Sequence, residues 1–561
     1  MFLRNALMST NARGIMAPSP KHFAFLPVLF TILRVASVAE AQTFNPIPAL
    51  SFTTVFAGAS PLPQVITVTS TGSNFNFSTT VSTITGGNWL SVTPSGTDCC
   101  VTTEAVTVSA DATALAAGTY SGQVVISAYG GSPRSITVPV TLTVAAAGGA
   151  FFDDMPGQAS FTMAPGETAA PRTIQIRNGG TGTLHWSLTT STADGGNWLT
   201  TPTTSGTAPS TISVSINPAA LPGGGATTGT FIGQIAFTGA GGGVTVPVSV
   251  DVGTNIFTQV NPLNFTMPLA GSDPLPQVIS FASRGANFNF SSAVYTGTGG
   301  AWLSISNLGG DCCVTPEAIT VSISASTLPA GTYTGEIIFA EYAGRIRAMT
   351  VPVTLTIAAP GTTFFDSLPG GLTFFRSTSG TPPVQSVPIR NGGPGTLNWT
   401  LSITTSDGGN WLTSSALSGT APSSIDAGVN PAALPGGGLT AGTFNGQLIL
   451  QTTGDVVTIP VSVVVGTGVF TQFNPITFTM PFGGSNPLPQ VLPAVSTGSN
   501  FNLSSAVYTG GGGSWLSISN LGADCCVTPE NITVSVDAST ITAPGTYTGE
   551  IILAEYAVRS A

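Results

Sequence analysis

The chain has 561 residues, of which 42% are hydrophobic and only 6% are charged, and it contains 69 glycines and 42 prolines. This length and composition predict several folded cores and exclude a disordered polyampholyte. The formal net charge of −10 also disfavours nucleic acid as a partner, because an acidic surface repels a phosphate backbone.

Residues 1–41 are predicted to be a signal peptide that is cleaved before Gln42. Basic residues precede an apolar run from Phe23 to Leu33, and a stretch of small residues follows the run. Arg34 interrupts the end of this run, and the long basic leader leaves Met16 as an alternative start. The run is too short to span a bilayer, so we expect no membrane span and a protein that is secreted or on a bacterial cell surface.

Internal repetition is the strongest pattern in the chain. The pair Trp-Leu occurs five times at alternating intervals of 109 and 104 residues, so alternate copies lie 213 residues apart. This register predicts duplication of a two-domain unit and an A-B-A-B-A order of five repeats. The predicted bounds are 42–147 for repeat 1, 148–254 for repeat 2, 255–360 for repeat 3, 361–467 for repeat 4 and 468–561 for repeat 5.

Each repeat is predicted to be an all-β, immunoglobulin-like sandwich. In repeat 1 short β-rich segments are separated by Gly, Pro, Ser and Asn at intervals of about 8 to 12 residues, which is typical of this fold. The seven predicted strands are Leu50–Phe56, Gln64–Ser70, Asn74–Ile84, Trp89–Thr93, Ala105–Ala110, Thr119–Ala128 and Ser135–Val144.

Three recurring positions refine this prediction. A large apolar residue stands twelve positions before each Trp-Leu pair and is predicted to face the core, because its neighbours two positions earlier are also apolar. An aromatic residue follows Gly-Thr in every copy, in the place of a tyrosine corner, although Phe in the even copies lacks the hydroxyl. A proline in the last strand of copies one to four predicts an edge strand or a bulge there. In copy order these residues are Phe77, Trp186, Phe290, Trp399 and Leu503; Tyr120, Phe231, Tyr333, Phe444 and Tyr547; and Pro139, Pro247, Pro352 and Pro460.

Repeat 5 is predicted to lack its last strand, since the sequence ends at Ala561 before the expected proline. Three explanations stay open, in order of preference: a truncated gene product, an unstable last sandwich, or a strand donated by a partner.

The segment Gly86–Val92 (GGNWLSV), followed by Ala117–Gly122 (AGTYSG), resembles the BACON-type Ig-like domain. The even copies also resemble the Ig-like domains of the ASPM/SPD-2/Hydin type, through Ile174–Gly180 (IQIRNGG) and Pro388–Gly393 (PIRNGG). The resemblance implies extracellular bacterial modules that bind carbohydrate or mucin, or that act as spacers beside enzymatic domains. It supplies no motif of binding residues.

The sequence predicts no catalytic residues, no metal site and no cofactor. His185, the one histidine after the signal peptide, is expected on the solvent side of a strand. Asp194 and Asp407 precede Gly-Gly and are expected to cap turn amides. Too few carboxylates share a loop for a calcium site, since the acids beside the cysteine pairs are Asp98, Asp311 and Asp524 before them and Glu104, Glu317 and Glu530 after them.

All six cysteines occur as adjacent pairs in the odd copies, within the motif Asp-Cys-Cys-Val-Thr. An oxidising compartment should not leave them all as free thiols, and we favour a vicinal disulfide in each pair over free or intermolecular cysteines. Two thiolates without a nearby histidine make only half a zinc site. The candidate vicinal disulfides are Cys99–Cys100, Cys312–Cys313 and Cys525–Cys526.

Aromatic side chains are the remaining candidates for ligand binding, because flat rings stack on sugar faces. The tryptophans of the odd Trp-Leu pairs are placed opposite the core or at the sandwich rim, with burial at the rim as the favoured interpretation and ligand contact as the alternative. Three tyrosines fall near the turn before the last strand, where exposed residues often bind partners. These candidates are Trp89, Trp302, Trp515, Tyr129, Tyr342 and Tyr556.

These observations favour a non-catalytic extracellular binding or adhesion array, in which repetition supplies avidity and in which glycans or surface proteins are the candidate partners. The alternative is a passive spacer or stalk of a larger protein. The sequence leaves the ligand and the oligomeric state open.

Overall fold

Nearly all regular structure in this chain is β-strand. The computed structural model describes residues 42–129, 135–342 and 347–555, so the predicted signal peptide lies outside the described residues. Their helices are short 3₁₀ turns, and among them no helix is long and apolar enough to cross a membrane.

The strands are numbered β1 to β40 in chain order. Repeat 1 contains β1 (Leu50–Val55), β2 (Gln64–Val68), β3 (Asn76–Thr83), β4 (Leu90–Thr93), β5 (Gly96–Val101), β6 (Glu104–Ala110), β7 (Gly118–Ala128) and β8 (Ser135–Ala145). Repeat 2 contains β9 (Ala159–Met163), β10 (Arg172–Ile176), β11 (His185–Thr192), β12 (Leu199–Thr200), β13 (Ser205–Thr207), β14 (Ser210–Ile216), 3₁₀ turns at Pro218–Ala220 and Pro222–Gly225, β15 (Gly229–Gly239) and β16 (Gly242–Val252).

Repeat 3 contains β17 (Ile256–Phe257), β18 (Leu263–Pro268), β19 (Gln277–Phe281), β20 (Ser283–Arg284), β21 (Asn289–Thr296), β22 (Leu303–Ile305), β23 (Gly309–Val314), β24 (Glu317–Ile323), β25 (Gly331–Glu341) and β26 (Ala348–Ala358). Repeat 4 contains β27 (Leu372–Arg376), β28 (Gln385–Ile389), β29 (Asn398–Thr405), β30 (Leu412–Ser414), β31 (Ser418–Thr420), β32 (Ser423–Val429), 3₁₀ turns at Pro431–Ala433 and Pro435–Gly438, β33 (Gly442–Gln451) and β34 (Val456–Val465). Repeat 5 contains β35 (Gln490–Ala494), β36 (Asn502–Thr509), β37 (Leu516–Ile518), β38 (Gly522–Val527), β39 (Glu530–Val536), a 3₁₀ turn at Ala538–Thr540 and β40 (Gly549–Glu555).

Paired sheets form the predicted sandwiches. In repeat 1 a five-stranded sheet of order β1-β8-β7-β3-β5 faces a three-stranded sheet of order β2-β6-β4, and repeats 2, 3 and 4 have the same pair of sheets. The seven predicted strands of repeat 1 are all present. Strand β5 was missed because its sequence, Gly-Thr-Asp-Cys-Cys-Val, begins with turn-forming residues. It is the edge strand that carries the cysteine pair.

The core lies between the two sheets, where alternation predicted it. Phe77 is buried, and so are its counterparts in the other four copies, which are Trp186, Phe290, Trp399 and Leu503. The residue before each of them, such as Asn76 or His185, is on the solvent side. Successive residues of these strands therefore alternate between core and solvent.

The prolines of the last strands do not mark edge strands, contrary to the prediction. Strand β8 lies between β1 and β7, and β1 pairs with it in parallel, starting at Leu50 opposite Val140. Pro139 is the residue directly before this pairing begins, and the prolines of the other three copies hold the same position. The missing amide hydrogen thus falls where the parallel ladder has not yet started.

Repeat 5 has a smaller sandwich within the described residues. Its sheets have the orders β35-β39-β37 and β38-β36-β40, with no counterpart of β8 beside β40. Residues 474–481, the counterparts of β18 and its approach, form no strand. Ile551 and Leu553 are consequently only half-buried.

Each odd copy contains a tyrosine corner in which the hydroxyl makes its hydrogen bond. The Tyr120 hydroxyl donates to the carbonyl of Ala116 at 2.9 Å, and Tyr333 and Tyr547 donate to the residues four positions upstream at 2.8 and 2.7 Å. Gly299, at φ +94°, packs on the Tyr333 ring, where a Cβ would lie 2.9 Å from Cδ1. The tyrosines of the odd copies therefore both pack against the turn and make the hydrogen bond of a tyrosine corner.

Neighbouring repeats are joined by side chains. Between repeats 1 and 2, Thr245 Oγ1 accepts the Ser51 N–H at 2.8 Å and donates to Gln64 Oε1 at 3.0 Å, and Gln234 Nε2 donates to the Ala49 carbonyl at 2.9 Å. The same hydrogen bonds recur between repeats 3 and 4. There Thr458 Oγ1 accepts the Asn264 N–H and donates to Gln277 Oε1, and Gln447 Nε2 donates to the Pro262 carbonyl.

Three repeats meet at Gly157 of repeat 2. Its N–H donates to Glu336 of repeat 3 at 2.9 Å, and its carbonyl accepts the N–H of Val65 from repeat 1 at 3.1 Å. A Cβ on residue 157 would lie 1.9 Å from the Pro63 carbonyl oxygen. Gly370 occupies the matching place among repeats 3, 4 and 5, where a Cβ would lie 1.8 Å from the Pro276 oxygen. We call these two places the three-repeat junctions.

We predict that Gly157→Ala destabilises the first junction by about 1–3 kcal/mol or more, because the methyl group has no free space and backbone must move. Thermal unfolding and limited proteolysis of the full chain measure the effect. The control is Gly454→Ala, since no atom lies within 4 Å of a Cβ there. Equal stability of the two variants would contradict the packing described for Gly157.

Tyr333→Phe is expected to lower the free energy of unfolding of repeat 3 by about 1 kcal/mol, the usual net contribution of one hydrogen bond. Urea unfolding followed by tryptophan fluorescence measures the change. Tyr342→Phe, on an exposed side chain, serves as the control and should be neutral. The corner has no energetic role if the two variants unfold alike.

Candidate binding surface of the odd repeats

The three tryptophans predicted as ligand platforms are core residues. Trp89, Trp302 and Trp515 are only 3%, 2% and 8% exposed. The Trp89 indole N–H donates to the Thr85 carbonyl at 2.9 Å, and the other two indoles bond to the residue four positions upstream. Gly122 on β7 leaves room for the Trp89 ring, because a Cβ at residue 122 would lie only 3.2 Å from the ring atom Cζ2. A buried ring offers no face to a ligand, so the alternative that these residues form a sugar platform is corrected in favour of burial.

The tyrosines behave differently. Tyr129 is 60% exposed and Tyr342 is 46% exposed, whereas Tyr556 lies outside the described residues. Each directly follows a long strand, and its N–H donates at 2.8 Å to the carbonyl of Asn76 or Asn289 on the neighbouring strand.

A three-residue row crosses the outer face of the sheet at this point. Asn76 pairs with Val101 on β5 and lies beside Tyr129, and the next residue of β3, Phe77, points into the core. Val101 is itself exposed. We call this the Tyr-Asn-Val row; repeat 3 repeats it with Tyr342, Asn289 and Val314, and repeat 5 has Asn502 paired with Val527.

A carboxylate accompanies the row in repeat 5. Asn502 Nδ2 donates to Asp524 Oδ1 at 2.7 Å, which places an acid and an amide together on a partly exposed edge. In repeat 5 the exposed Val527 supplies apolar surface, and the Asn502 amide and the Asp524 carboxylate supply polar atoms. Sequence reasoning found the tyrosines but missed the asparagines, which lie on the strand next to each cysteine pair only after the sheet has formed.

The cysteine pairs lie on the edge strand beside this row. Cys99 and Cys100 are joined by a vicinal disulfide, as predicted. Cys525 and Cys526 are free thiols in the structure, so the predicted bridge is not formed there, even though β36 and β38 keep the same register as β3 and β5. Cys313 is buried and disulfide-bonded, and the side chain of Cys312 lies outside the described residues.

The other polar candidates have structural partners. His185 is exposed and its Nδ1 is 3.1 Å from the Thr207 hydroxyl. Asp194 accepts the Gly196 N–H at 3.0 Å and the Trp198 indole N–H at 3.0 Å, and Asp407 repeats both contacts in repeat 4. The turn-capping role predicted for these aspartates is therefore present, with an indole added.

The acids that follow the cysteine pairs anchor a turn. Glu317 accepts the Asn307 amide at 2.9 Å, and Glu530 accepts the Asn520 amide at the same distance. No group of three or more His, Cys, Asp or Glu side chains suited to a metal ion occurs in the part of the chain that the structure describes.

Comparison with known proteins gives one family and several distant structures. The family model of the viral BACON domain matches residues 156–250 and 368–458, within repeats 2 and 4. No curated protein sequence matches the chain.

Among solved structures, Drosophila N-cadherin EC1-4 is 11% identical, with 75% of this chain and 99% of that chain covered and a TM-score of 0.16. The human desmocollin-1 ectodomain is 10% identical, with 92% and 99% covered and a TM-score of 0.14. An endo-fucoidan hydrolase of glycoside hydrolase family 107 is 13% identical, with 55% and 43% covered and a TM-score of 0.14. At these scores the superpositions assign neither an arrangement of repeats nor a function.

The family match falls on the even copies, whereas the GGNWLSV segment that carried the resemblance belongs to an odd copy. Both matched segments contain the strands β9 to β15 or their counterparts β27 to β33 in the same order, so the match covers most of a sandwich each time. The second and fourth copies are therefore similar to the viral BACON domain, and the two matches are consistent with BACON-type domain repeats.

Proposed function

We propose that the chain is a non-catalytic extracellular binding array, which presents the Tyr-Asn-Val rows of its odd repeats to a ligand at fixed spacing. The observation that carries the proposal is the recurrence of an exposed row on repeats 1 and 3, 213 residues apart, between repeats that are joined by buried hydrogen bonds. Fixed spacing lets weak single sites add up to high avidity on a repetitive ligand.

The extracellular setting is supported by the disulfide at Cys99 and Cys100, because such bonds persist in oxidising compartments. The predicted signal peptide agrees with this setting. The acidic net charge and scarcity of charged residues leave Ser, Thr and Asn as the main polar surface.

Carbohydrate is the ligand class that the row favours. A half-exposed tyrosine offers a ring face for stacking, and its phenolic hydroxyl offers a hydrogen bond to sugar hydroxyl groups. The flat outer face of a sheet suits an extended chain of sugars better than it suits a small molecule, which needs a concave pocket.

A spacer or stalk is the second candidate, and the contacts between repeats favour it. The side-chain hydrogen bonds between repeats 1 and 2 are repeated between repeats 3 and 4. These pairs of repeats are therefore connected by specific contacts rather than by flexible linkers alone. A stalk needs this stiffness and needs no ligand.

We expect Tyr129→Ala combined with Tyr342→Ala to weaken glycan binding by about tenfold or more, since loss of an aromatic anchor costs on the order of 1–2 kcal/mol. A glycan array probed with the full chain identifies the ligand, and titration of that glycan measures the affinity. Val384→Ala, at an exposed apolar residue of repeat 4, is the matched control. An intact chain that binds no glycan, or a double variant that binds as tightly as the control, would contradict the binding array and favour the stalk.

Trp302→Ala is expected to destabilise repeat 3 by about 3–5 kcal/mol, as for other buried large-to-small aromatic substitutions. Thermal unfolding measures the loss. At temperatures where the variant is folded its glycan affinity should equal that of the unchanged chain. A selective loss of affinity with unchanged stability would restore Trp302 as a ligand contact.

A further inference from the structure

A carboxylic acid lies at the centre of the first three-repeat junction. Glu336 is on β25 and is fully buried, and its Oε2 accepts the Gly157 N–H of repeat 2 at 2.9 Å. Its neighbours across the sheet are uncharged at the same level, with Tyr295 on β21 and Pro352 on β26. The acid thus reaches out of its own sandwich to contact the preceding repeat.

The second oxygen of this acid has no hydrogen-bond partner. Oε1 of Glu336 is buried, and it lies 2.8 Å from the position that a Cβ of residue 157 would take. The carbonyl oxygen of Pro63, from repeat 1, lies 1.9 Å from the same position. Two acceptor atoms therefore approach one point, with no donor between them. A proton on Oε1 would give this buried oxygen a hydrogen to donate on the side where the Pro63 carbonyl lies, and would remove the cost of burying an unpaired charged oxygen.

The second junction repeats the arrangement. Oε2 of Glu550 is buried without a partner, 2.5 Å from the Cβ position of Gly370, and the Pro276 oxygen lies 1.8 Å from that position. The Gly370 N–H also faces this acid. The Glu550 residue as a whole is only half-buried, and β36 is the one strand that pairs with β40 among the residues that the structure describes.

The charged groups around Glu336 do not neutralise it. Asp154 faces it from repeat 2, and Asp154 in turn is near Asp153 and Arg177, whose Nη2 is 2.9 Å from Asp153 and 4.0 Å from Asp154. In the second junction Ser367 stands where Asp154 would be, and Arg390 is 3.6 Å from Asp366. The guanidinium is therefore paired with aspartate in both places.

Burial raises the pKa of Glu336 to about 8, with the nearby Asp154 adding to the rise and the Gly157 N–H opposing it. Burial likewise raises the pKa of Glu550 to about 8, against the Gly370 N–H. Burial and Asp153 raise the pKa of Asp154 to about 6.

The matched position in the other repeats is glutamine, a neutral residue of the same shape. Gln234 and Gln447 each donate to a backbone carbonyl of the preceding repeat. Gln123 of repeat 1, which has no described repeat before it, is exposed. This position therefore serves as the contact to the preceding repeat in repeats 2 to 5, and only two of its occupants titrate.

We propose that Glu336 and Glu550 are protonated acids that each hydrogen-bond two preceding repeats at once, and that the array loosens at both three-repeat junctions when they ionise. The joints made by Gln234 and Gln447 lack this titratable group. The proton leaves to solvent hydroxide or buffer base, and no covalent bond changes.

The direction of the pH effect follows from the acids. A carboxyl whose pKa in the folded state is above its ordinary value stabilises the junction fully below about pH 4.5, and this stability is lost as the pH rises through about 8. Asp154 contributes an earlier loss, between about pH 4 and 6, in the first junction alone.

Small-angle X-ray scattering of the full chain, between about pH 6.5 and 9.5, tests the proposal. The radius of gyration is expected to rise with a midpoint near pH 8 in the unchanged chain and in the control Glu167→Gln, an exposed acid paired with Arg284. The combined variant Glu336→Gln and Glu550→Gln should stay compact throughout, because the amide keeps a donor for the proline carbonyl at every pH. A rise that persists in this variant, or no rise in the unchanged chain, would overturn the proposal.

Infrared spectroscopy of the unchanged chain keeps the test decisive if the double variant does not fold. At about pH 7, with Asp154 mostly ionised, the spectrum should contain the carbonyl band of protonated carboxyl groups, and that band should disappear at about pH 9.5. Absence of a protonated carboxyl at neutral pH would refute the neutral-acid assignment.

Discussion

The lack of a side chain at Gly157 and Gly370 is the constraint on which the packing of the repeats depends. Backbone of one repeat comes so close to each glycine that even a methyl group would collide with a carbonyl oxygen. The close approach lets the N–H and C=O of Gly157 reach two different repeats. Val65 and Ala105 of repeat 1 can then pack against Ile338 and Ala348 of repeat 3, which are not consecutive in the chain.

Packing between repeats determines whether the Tyr-Asn-Val rows keep a fixed spacing. If sandwiches were joined by flexible linkers, each binding surface would move independently, and avidity would depend on linker length. Here the Tyr-Asn-Val rows belong to odd repeats that touch one another, so the spacing between rows is set by side-chain contacts. The same stiffness serves a stalk, and the ligand experiment decides between the two functions.

Local patterns in the sequence predicted the sandwiches well, because alternation of apolar and polar residues is a property of single strands. The position of Phe77 and the strands of repeat 1 followed from it. Strand β5 was missed because Gly96 and Asp98 are typical of turns, and the role of Pro139 was misjudged because parallel pairing with β1 depends on residues ninety positions away. The burial of Trp89 depends on Gly122 across the sandwich, which no local pattern contains. Contacts between repeats could not be predicted from local patterns. The sequence did contain one signal for them, the alternation of Gln234, Glu336, Gln447 and Glu550 at one repeat position.

The alternation between Gln234 and Glu336 limits how such an array changes its length during evolution. Gln234 donates to a carbonyl of an odd repeat, whereas Glu336 receives an N–H from an even repeat. Deletion of repeat 2 would place the acid of repeat 3 where Gln234 now contacts the Ala49 carbonyl, and it would remove the Gly157 N–H that this acid accepts. Gain or loss of a pair of repeats preserves every contact. Recombination that shortens or extends this gene is therefore expected to be tolerated in steps of 213 residues, the unit whose two ends match each other.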